Sequence, residues 1–298
     1  MVRRLAAADT QGWDGRGNRP IGEAVVSPRS SFPANPDVLP RPEPPCRLGG
    51  MPDLFDAESR ACLSVVMPCY NEIGTLAGAM ERVLASPYTR ELIVVDDGST
   101  DGSPDEARKV DDGRVVVIEL DHNQGKGAAL RTGFARATSP YVVVQDADLE
   151  YDPNDFKVLL RPLLDGRADV VYGSRFMGGQ PHRVLHFWHS VGNKLLTVFS
   201  NVMTDLNLTD METGYKAFRL EVLQALTLEE DRFGFEPEVT AKIAQAGWRV
   251  YEVGISYAGR TYAQGKKIGW RDGVRALTCI LKYSASGQCL RARSGRTR

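Results

Sequence analysis

Two aspartates, Asp146 and Asp148, stand one residue apart just after Gln145 and the apolar run Tyr141, Val142, Val143, Val144. Carboxylates so spaced at the end of a strand can share one hard divalent cation and leave coordination positions for diphosphate oxygens. They also have an ordinary use, in which one caps the helix that starts near Pro153 and the other is solvated. Context matters here, because polar residues follow the other short apolar runs as well. Pro68, Tyr70, Asn71 and Glu72 come after the first run, and Asp96, Asp97, Gly98, Ser99, Thr100, Asp101 and Gly102 after the second. His122 to Gly127 follow the third, and Gly173, Ser174 and Arg175 the fifth. In open parallel sheets, ligands bind beyond the carboxyl ends of the strands, where these residues would lie. Asp97 there can accept hydrogen bonds from a ribose or base, or it can serve a tight turn with Gly98. Glu72 can do the former or act as a dipole-favoured carboxylate opening a helix. Lys126 at a helix N-terminus suits a phosphate. Gly125-Lys126-Gly127 lacks the third glycine of G-x-G-x-x-G, and no G-K-[ST] occurs, which disfavours a dinucleotide fold and a P-loop.

The elements that must position these residues alternate. Strands are expected at Leu63–Met67, Leu92–Val95, Val115–Leu120, Tyr141–Gln145 and Val170–Tyr172, with helices near Gly74–Ala85, Asp105–Val110, Gly127–Ala137 and Asn154–Leu164. That rhythm is an α/β fold, a mostly parallel central sheet with helices on both faces. Beyond Gly173 come a long amphipathic segment (Val184–Met203), a strand-like Tyr215–Phe218, a helix around Glu236–Ala246, a strand at Val250–Val253 and a last helix around Val274–Tyr283. Residues 1–60, with Pro40, Pro42, Pro44 and Pro45, have the composition of a disordered arm. The catalytic domain is expected over 61–257, a basic segment and amphipathic helix over 258–287, and a basic tail over 288–298.

Of 298 residues, 42% are hydrophobic and 25% charged, enough for one sizeable core. A formal net charge of -1 gives no bias toward nucleic acid, which is not an expected partner. The five cysteines are scattered without C-x-x-C spacing, so neither a disulfide framework nor a zinc site is suggested and a reducing cytosol is the natural home. Asp9 interrupts the N-terminal apolar residues too early for a signal peptide, and no run approaches the roughly 18 apolar residues of a spanning helix. Any membrane contact is therefore expected to be peripheral.

Taken in order, Pro68-x-Tyr70-Asn71-Glu72, Asp96-Asp97-Gly98-Ser99-x-Asp101-Gly102, Asp146-Ala147-Asp148 and Gly173-Ser174-Arg175 resemble glycosyltransferase family 2. The similarity is greatest to its dolichol-phosphate mannose synthase and polyprenyl-phosphate glycosyltransferase branch, and it covers roughly Leu63 to Tyr283. The resemblance implies a GT-A fold and an inverting transfer of a hexose from a nucleotide-sugar of GDP-mannose or UDP-glucose type to a polyprenyl or dolichyl phosphate. Pro68, Tyr70, Glu72 and Asp97 would hold the nucleoside, while Asp146 and Asp148 would bind Mg²⁺ or Mn²⁺ and the diphosphate. Arg260 and Lys266 resemble a basic segment that closes on the donor. Arg175 and Ser190 would face the acceptor phosphate, with His186 where relatives carry a second arginine, and Asp210 and Glu212 lie where relatives place a base or an acceptor-orienting carboxylate. Glu150 stands where the family often has Gln.

A phosphate monoester has a second pKa of about 6, so the acceptor is already an anionic nucleophile near neutral pH and no strong base is demanded. Cations should dominate catalysis: the metal, Arg260 and Lys266 on the donor, Arg175 on the acceptor. The work would be done at the cytoplasmic, inner face of the membrane. Phe187, Trp188, Leu195, Leu196, Val198 and Phe199 offer an interfacial face, and Arg291, Arg293, Arg296 and Arg298 an attraction to anionic lipid. Two other readings remain: transfer to a soluble or polysaccharide acceptor, without the Q-x-x-R-W element of processive synthases, and a non-catalytic nucleotide-sugar-binding protein.

Overall fold

The computed structural model describes residues 61–177, 187–259 and 273–284. The arm 1–60, His186, Arg260, Lys266 and the tail 288–298 lie outside those residues.

Among the described residues one sheet forms from β1 (Leu63–Cys69), β2 (Thr89–Asp96), β3 (Val115–Glu119), β4 (Tyr141–Val144), β5 (Val170–Ser174), β6 (Lys216–Arg219) and β7 (Val250–Gly254). Their spatial order is β3-β2-β1-β4-β6-β5-β7. Adjacent strands run parallel except at β6, which lies antiparallel between β4 and β5. In register, Val65 stands between Leu92 and Val143, and Val66 between Ile93 and Val144. Successive residues of a strand face opposite ways. Both faces of these strands are buried, which accounts for their unbroken Val/Ile/Leu runs.

The helices are α1 (Leu76–Ala85), α2 (Ser103–Arg108), α3 (Lys126–Arg136), α4 (Phe156–Leu164), α5 (Phe187–Thr204), α6 (Leu220–Ala225), α7 (Phe235–Ala246) and α8 (residues 273–284). One core layer packs Leu76, Met80 and Val83 of α1 with Phe156, Leu159 and Leu163 of α4 against Val65, Leu92 and Val143. The other packs Leu130 and Phe134 of α3 with Phe235, Val239 and Ile243 of α7 against Val66, Ile93 and Val144. Glu230 accepts from Arg275, Lys282 and Tyr283, which pins α8 to the loop before α7.

The chain runs outward from β1 through β2 to β3, then returns to β4 on the other side of β1. That reversal opens a crevice at the carboxyl ends of β1 and β4, the usual place for a ligand in such sheets. Sequence periodicity does not reveal that the strand-like segment before Arg219 enters the middle of the sheet rather than an edge. Nor does it reveal α6, whose six residues are too few to show a period.

Candidate active site

A cavity of about 390 Å³ occupies this crevice. It is lined by Pro68, Tyr70 and Glu72 after or at the end of β1, Asp97 after β2, Lys126 at the start of α3, Asp146, Asp148 and Glu150 after β4, and Arg175 after β5. Five chain segments that are remote in sequence meet because each follows a strand of the same sheet. Glu212, Gly214, Arg232, Phe233, Glu236 and Tyr257 complete much of its wall.

The acidic turn after β2 divides its work. Asp96 accepts from the Ser99 N–H at 2.8 Å, and Asp101 accepts from the Ile73 and Ser103 N–H groups at 3.0 and 2.9 Å. Ser99 and Ser103 hydroxyls accept from the Asn71 and Glu72 N–H groups at 2.9 and 3.0 Å, latching the loop after β1 to the loop after β2. These residues build the wall. Gly98 makes the turn possible: its φ is +71°, and a Cβ there would lie 2.6 Å from the His122 carbonyl carbon. Asp97 accepts from Asn123 Nδ2 and the Gln124 and Gly125 N–H groups at 3.0, 2.7 and 2.8 Å. A carboxylate has roughly four acceptor positions, so about one is left for a ligand.

Asp146 and Asp148 both face the cavity. The capping role that either might have played belongs to Asp152, whose side chain accepts from the Asn154 N–H at 3.0 Å. Asp148 instead accepts from the Glu150 N–H at 3.1 Å, and Leu149 adopts φ +62°, a backbone state costly for a bulky residue and typical of functional turns. Gly214 approaches from β6's side: a Cβ there would lie 2.5 Å from Asp146 Oδ2 and 3.0 Å from the Tyr151 ring. Among the described residues no three His, Cys, Asp or Glu side chains form a ready-made cage. The acidic pair fits an open chelate, completed by ligand oxygens and water.

Seven carboxylates and three cationic side chains line the cavity. An anionic ligand entering it would need further positive charge, which a cation at the acidic pair would supply. Lys126 Nζ lies 3.0 Å from Asp146 Oδ1 and 3.4 Å from Glu236 Oε1. Burial alone would lower its pKa, but Asp146 and Glu236 hold the ammonium above its ordinary value. Glu150 accepts from the Tyr257 hydroxyl at 2.5 Å, bracing the segment after β7 against the acidic turn.

Arg175 forms a two-pronged ion pair with Asp210, Nε to Oδ2 at 2.7 Å and Nη2 to Oδ1 at 2.8 Å, and its guanidinium lies 5.3 Å from the Tyr257 ring centroid. Asn193 of α5 donates to Asp210 Oδ1 at 3.0 Å. Asp210 is fully buried; burial would raise its carboxyl, but Arg175 holds it below the ordinary carboxylate range. Asp210 is therefore a support for Arg175, with its oxygens spent behind the cavity wall. Glu212 does line the cavity, and burial, reinforced by Glu236, pushes its carboxyl up to about 8. Ser190 stands in the first turn of α5, apart from the cavity-lining residues.

Sequence reasoning missed Glu236, Lys216, Tyr151 and Tyr257. Glu236 reads as one more acid in the first turn of a helix, and Lys216 as an ordinary strand residue. Yet Lys216 is fully buried, donating to the Thr213 carbonyl and lying 5.0 Å from the Tyr172 ring centroid.

This sheet, with its single inserted antiparallel strand and its acidic crevice, defines the GT-A class of fold. Solved structures of glucosyl-3-phosphoglycerate synthase from Mycobacterium tuberculosis share it. One, in complex with Mn²⁺, UDP and phosphoglyceric acid, superposes with a TM-score of 0.62 at 20% identity, covering 80% of this chain and 84% of that one. Another, with Mg²⁺ and UDP, gives a TM-score of 0.60 at 21% identity over 80% and 85%. The chain itself belongs to glycosyl transferase family 2, whose model matches residues 64–227, and it is a glycosyltransferase. It is 30% identical over 246 residues to the undecaprenyl-phosphate mannosyltransferase of Micrococcus luteus, spanning 77% of this chain and 98% of that protein. It is likewise 30% identical over 239 residues to the polyprenol monophosphomannose synthase of Mycolicibacterium smegmatis, spanning 77% and 89%.

Proposed function

We propose that this chain moves a hexose from a nucleotide-diphosphate sugar to a polyprenyl phosphate at the cytoplasmic surface of a membrane, with Mg²⁺ or Mn²⁺ held by Asp146 and Asp148. The observation that carries this reading is the meeting, in one cavity, of an open acidic pair and a braced guanidinium, Arg175. The two suit opposite ends of the reaction. When bound, the cation supplies positive charge to the departing diphosphate. Asp97, Tyr70 and Glu72 orient the nucleoside, Lys126 contributes a further charge to the donor phosphates, and Arg175 aligns the acceptor phosphate. Both reactants are anions, so positioned cations lower the barrier more than any base would.

A membrane surface is supported by α5. Phe187, Trp188, Leu195, Val198 and Val202 are exposed, Trp188 by 78%, and most of them recur along one side of the helix. Among the described residues no helix is long and apolar enough to cross a membrane. Cys62, Cys69 and Cys279 are free thiols, as suits a reducing compartment.

The test incubates purified protein with radiolabelled GDP-mannose or UDP-glucose, undecaprenyl phosphate in detergent, and Mn²⁺. Label should enter the organic phase, stop with chelator, and fall at least about 10²-fold in Asp148→Ala, as for other lost transition-state electrostatics. Label that stays in water-soluble product would instead establish a soluble acceptor. Transfer that survives both chelator and Asp148→Ala would overturn the metal assignment.

A further inference from the structure

The wall of the cavity contains a carboxylate that the reaction as described does not use. Glu236, in the first turn of α7, is 4% exposed and lines the cavity. One of its oxygens, Oε1, lies 3.4 Å from Lys126 Nζ. The other, Oε2, is buried without a hydrogen-bond partner, and so is Oε1 of Glu212 on the same wall. A buried carboxyl oxygen left unpaired has lost its hydration without replacement, so two of them facing one cavity point to polar groups that arrive with a ligand.

The chemistry of those donors follows from position. Lys126 joins Glu236 to Asp146, which places Glu236 beside the diphosphate end of the cavity. Glu212 feels the charge of both Glu236 and Arg175, so this patch also borders the acceptor's guanidinium. A transferred sugar must lie between the two phosphates. Diphosphate oxygens carry no hydrogens at neutral pH, and the nucleoside end of the cavity is walled by Tyr70, Glu72 and Asp97. Water aside, which does not distinguish one sugar from another, the hexose ring is what supplies O–H donors at this patch.

We propose that Glu236 binds a hydroxyl group of the donor's hexose, with the Glu212 carboxyl group completing the contact, so that these two side chains set which sugar is accepted. The inference rests on the donor reading given above. A carboxylate is suited to the task because a sugar lacking the matching hydroxyl, or carrying it on the wrong face, leaves Oε2 unpaired. The competing role is architectural. Glu236 would then only balance Lys126 and Lys216 in a buried charge cluster, with no preference among sugars.

The two roles separate in binding measurements on the full chain with Mn²⁺, using GDP, UDP, GDP-mannose, UDP-glucose and the monodeoxy analogues of whichever sugar nucleotide binds. In the unaltered protein, loss of one particular hexose hydroxyl should weaken binding about tenfold or more, and loss of the others should not. In Glu236→Gln that penalty should shrink to within about twofold, with affinity for the bare diphosphate nearly kept. Equal deoxy penalties at every position in both proteins would overturn the proposal, as would a Glu236→Gln variant that loses diphosphate and sugar nucleotide alike. Should the variant fail to fold, the unaltered protein still decides: no hydroxyl whose removal weakens binding means no such contact. If neither diphosphate binds, the donor reading itself falls, and this inference with it.

Discussion

Asp210→Asn tests how the guanidinium proposed to meet the acceptor is held. The substitution keeps the shape of the side chain and removes its charge. In the native chain Asp210 is fully buried and receives Arg175 through its backbone N–H at 3.1 Å and its guanidinium at 2.7 and 2.8 Å, and Asn193 at 3.0 Å. With Asn in place, Arg175 stays in the wall with its charge uncompensated. Breaking one side of a buried pair costs about 3–5 kcal/mol. Taking about 3 kcal/mol, and a urea slope of about 3 kcal/mol per M, the unfolding midpoint should fall by about 1 M. On the proposed role of Arg175, acceptor use should suffer too, by about 10- to 100-fold in kcat/KM, since a loosened guanidinium would no longer align the phosphate. The pH dependence has a definite sign. A carboxyl held below its ordinary value stabilises fully above the unfolded value of about 3.9 and loses that contribution as pH falls through the folded value. The gap in midpoint between native chain and variant should thus be constant from about pH 5 to 8 and close in stronger acid. An unchanged midpoint and unchanged transfer would refute the claim that Asp210 holds Arg175.

Three further outcomes are expected. Gly214→Ala drives a methyl against Asp146 Oδ2, so transfer should drop by about tenfold or more, since displacements of about 1 Å can cost 10²-fold; activity within twofold of the native chain would count against that close approach. Trp188→Glu, at a side chain 78% exposed, should leave the urea midpoint in place yet weaken co-sedimentation with anionic phospholipid vesicles about tenfold, and equal sedimentation would remove α5 as the docking face. Glu212, pushed up to about 8 by burial, keeps its proton in the folded chain over an interval where the unfolded chain has lost it. Stability should therefore decline from about pH 5 to 8, and Glu212→Gln should gain on the native chain across that window; parallel profiles would contradict the shift.

The strand ends were readable because a strand buried on both faces must be a run of Val, Ile and Leu, and the first polar residue after it must stand at the sheet's edge. Pro68, Tyr70, Glu72, Asp97, Asp146, Asp148 and Arg175 were all found this way, and all line one cavity. What local pattern could not distinguish was a residue's partner. Asp96, Asp97 and Asp101 are one acidic cluster in the sequence, yet Asp96 and Asp101 hold loops together while Asp97 meets the cavity.

Residue order and hydrophobic period by themselves determined the α/β alternation, the central sheet and the acidic pair's place at a strand end. Only the tertiary structure decided that β6 enters antiparallel between β4 and β5, that Asp210 turns to Arg175, and that Glu236 and Glu212 each carry an unpaired oxygen into the cavity wall. The reason is one of range. Periodicity records which side of an element is buried, whereas the partner of a buried charge is set by another segment, 35 residues away for Arg175 and Asp210, that folding alone brings into contact.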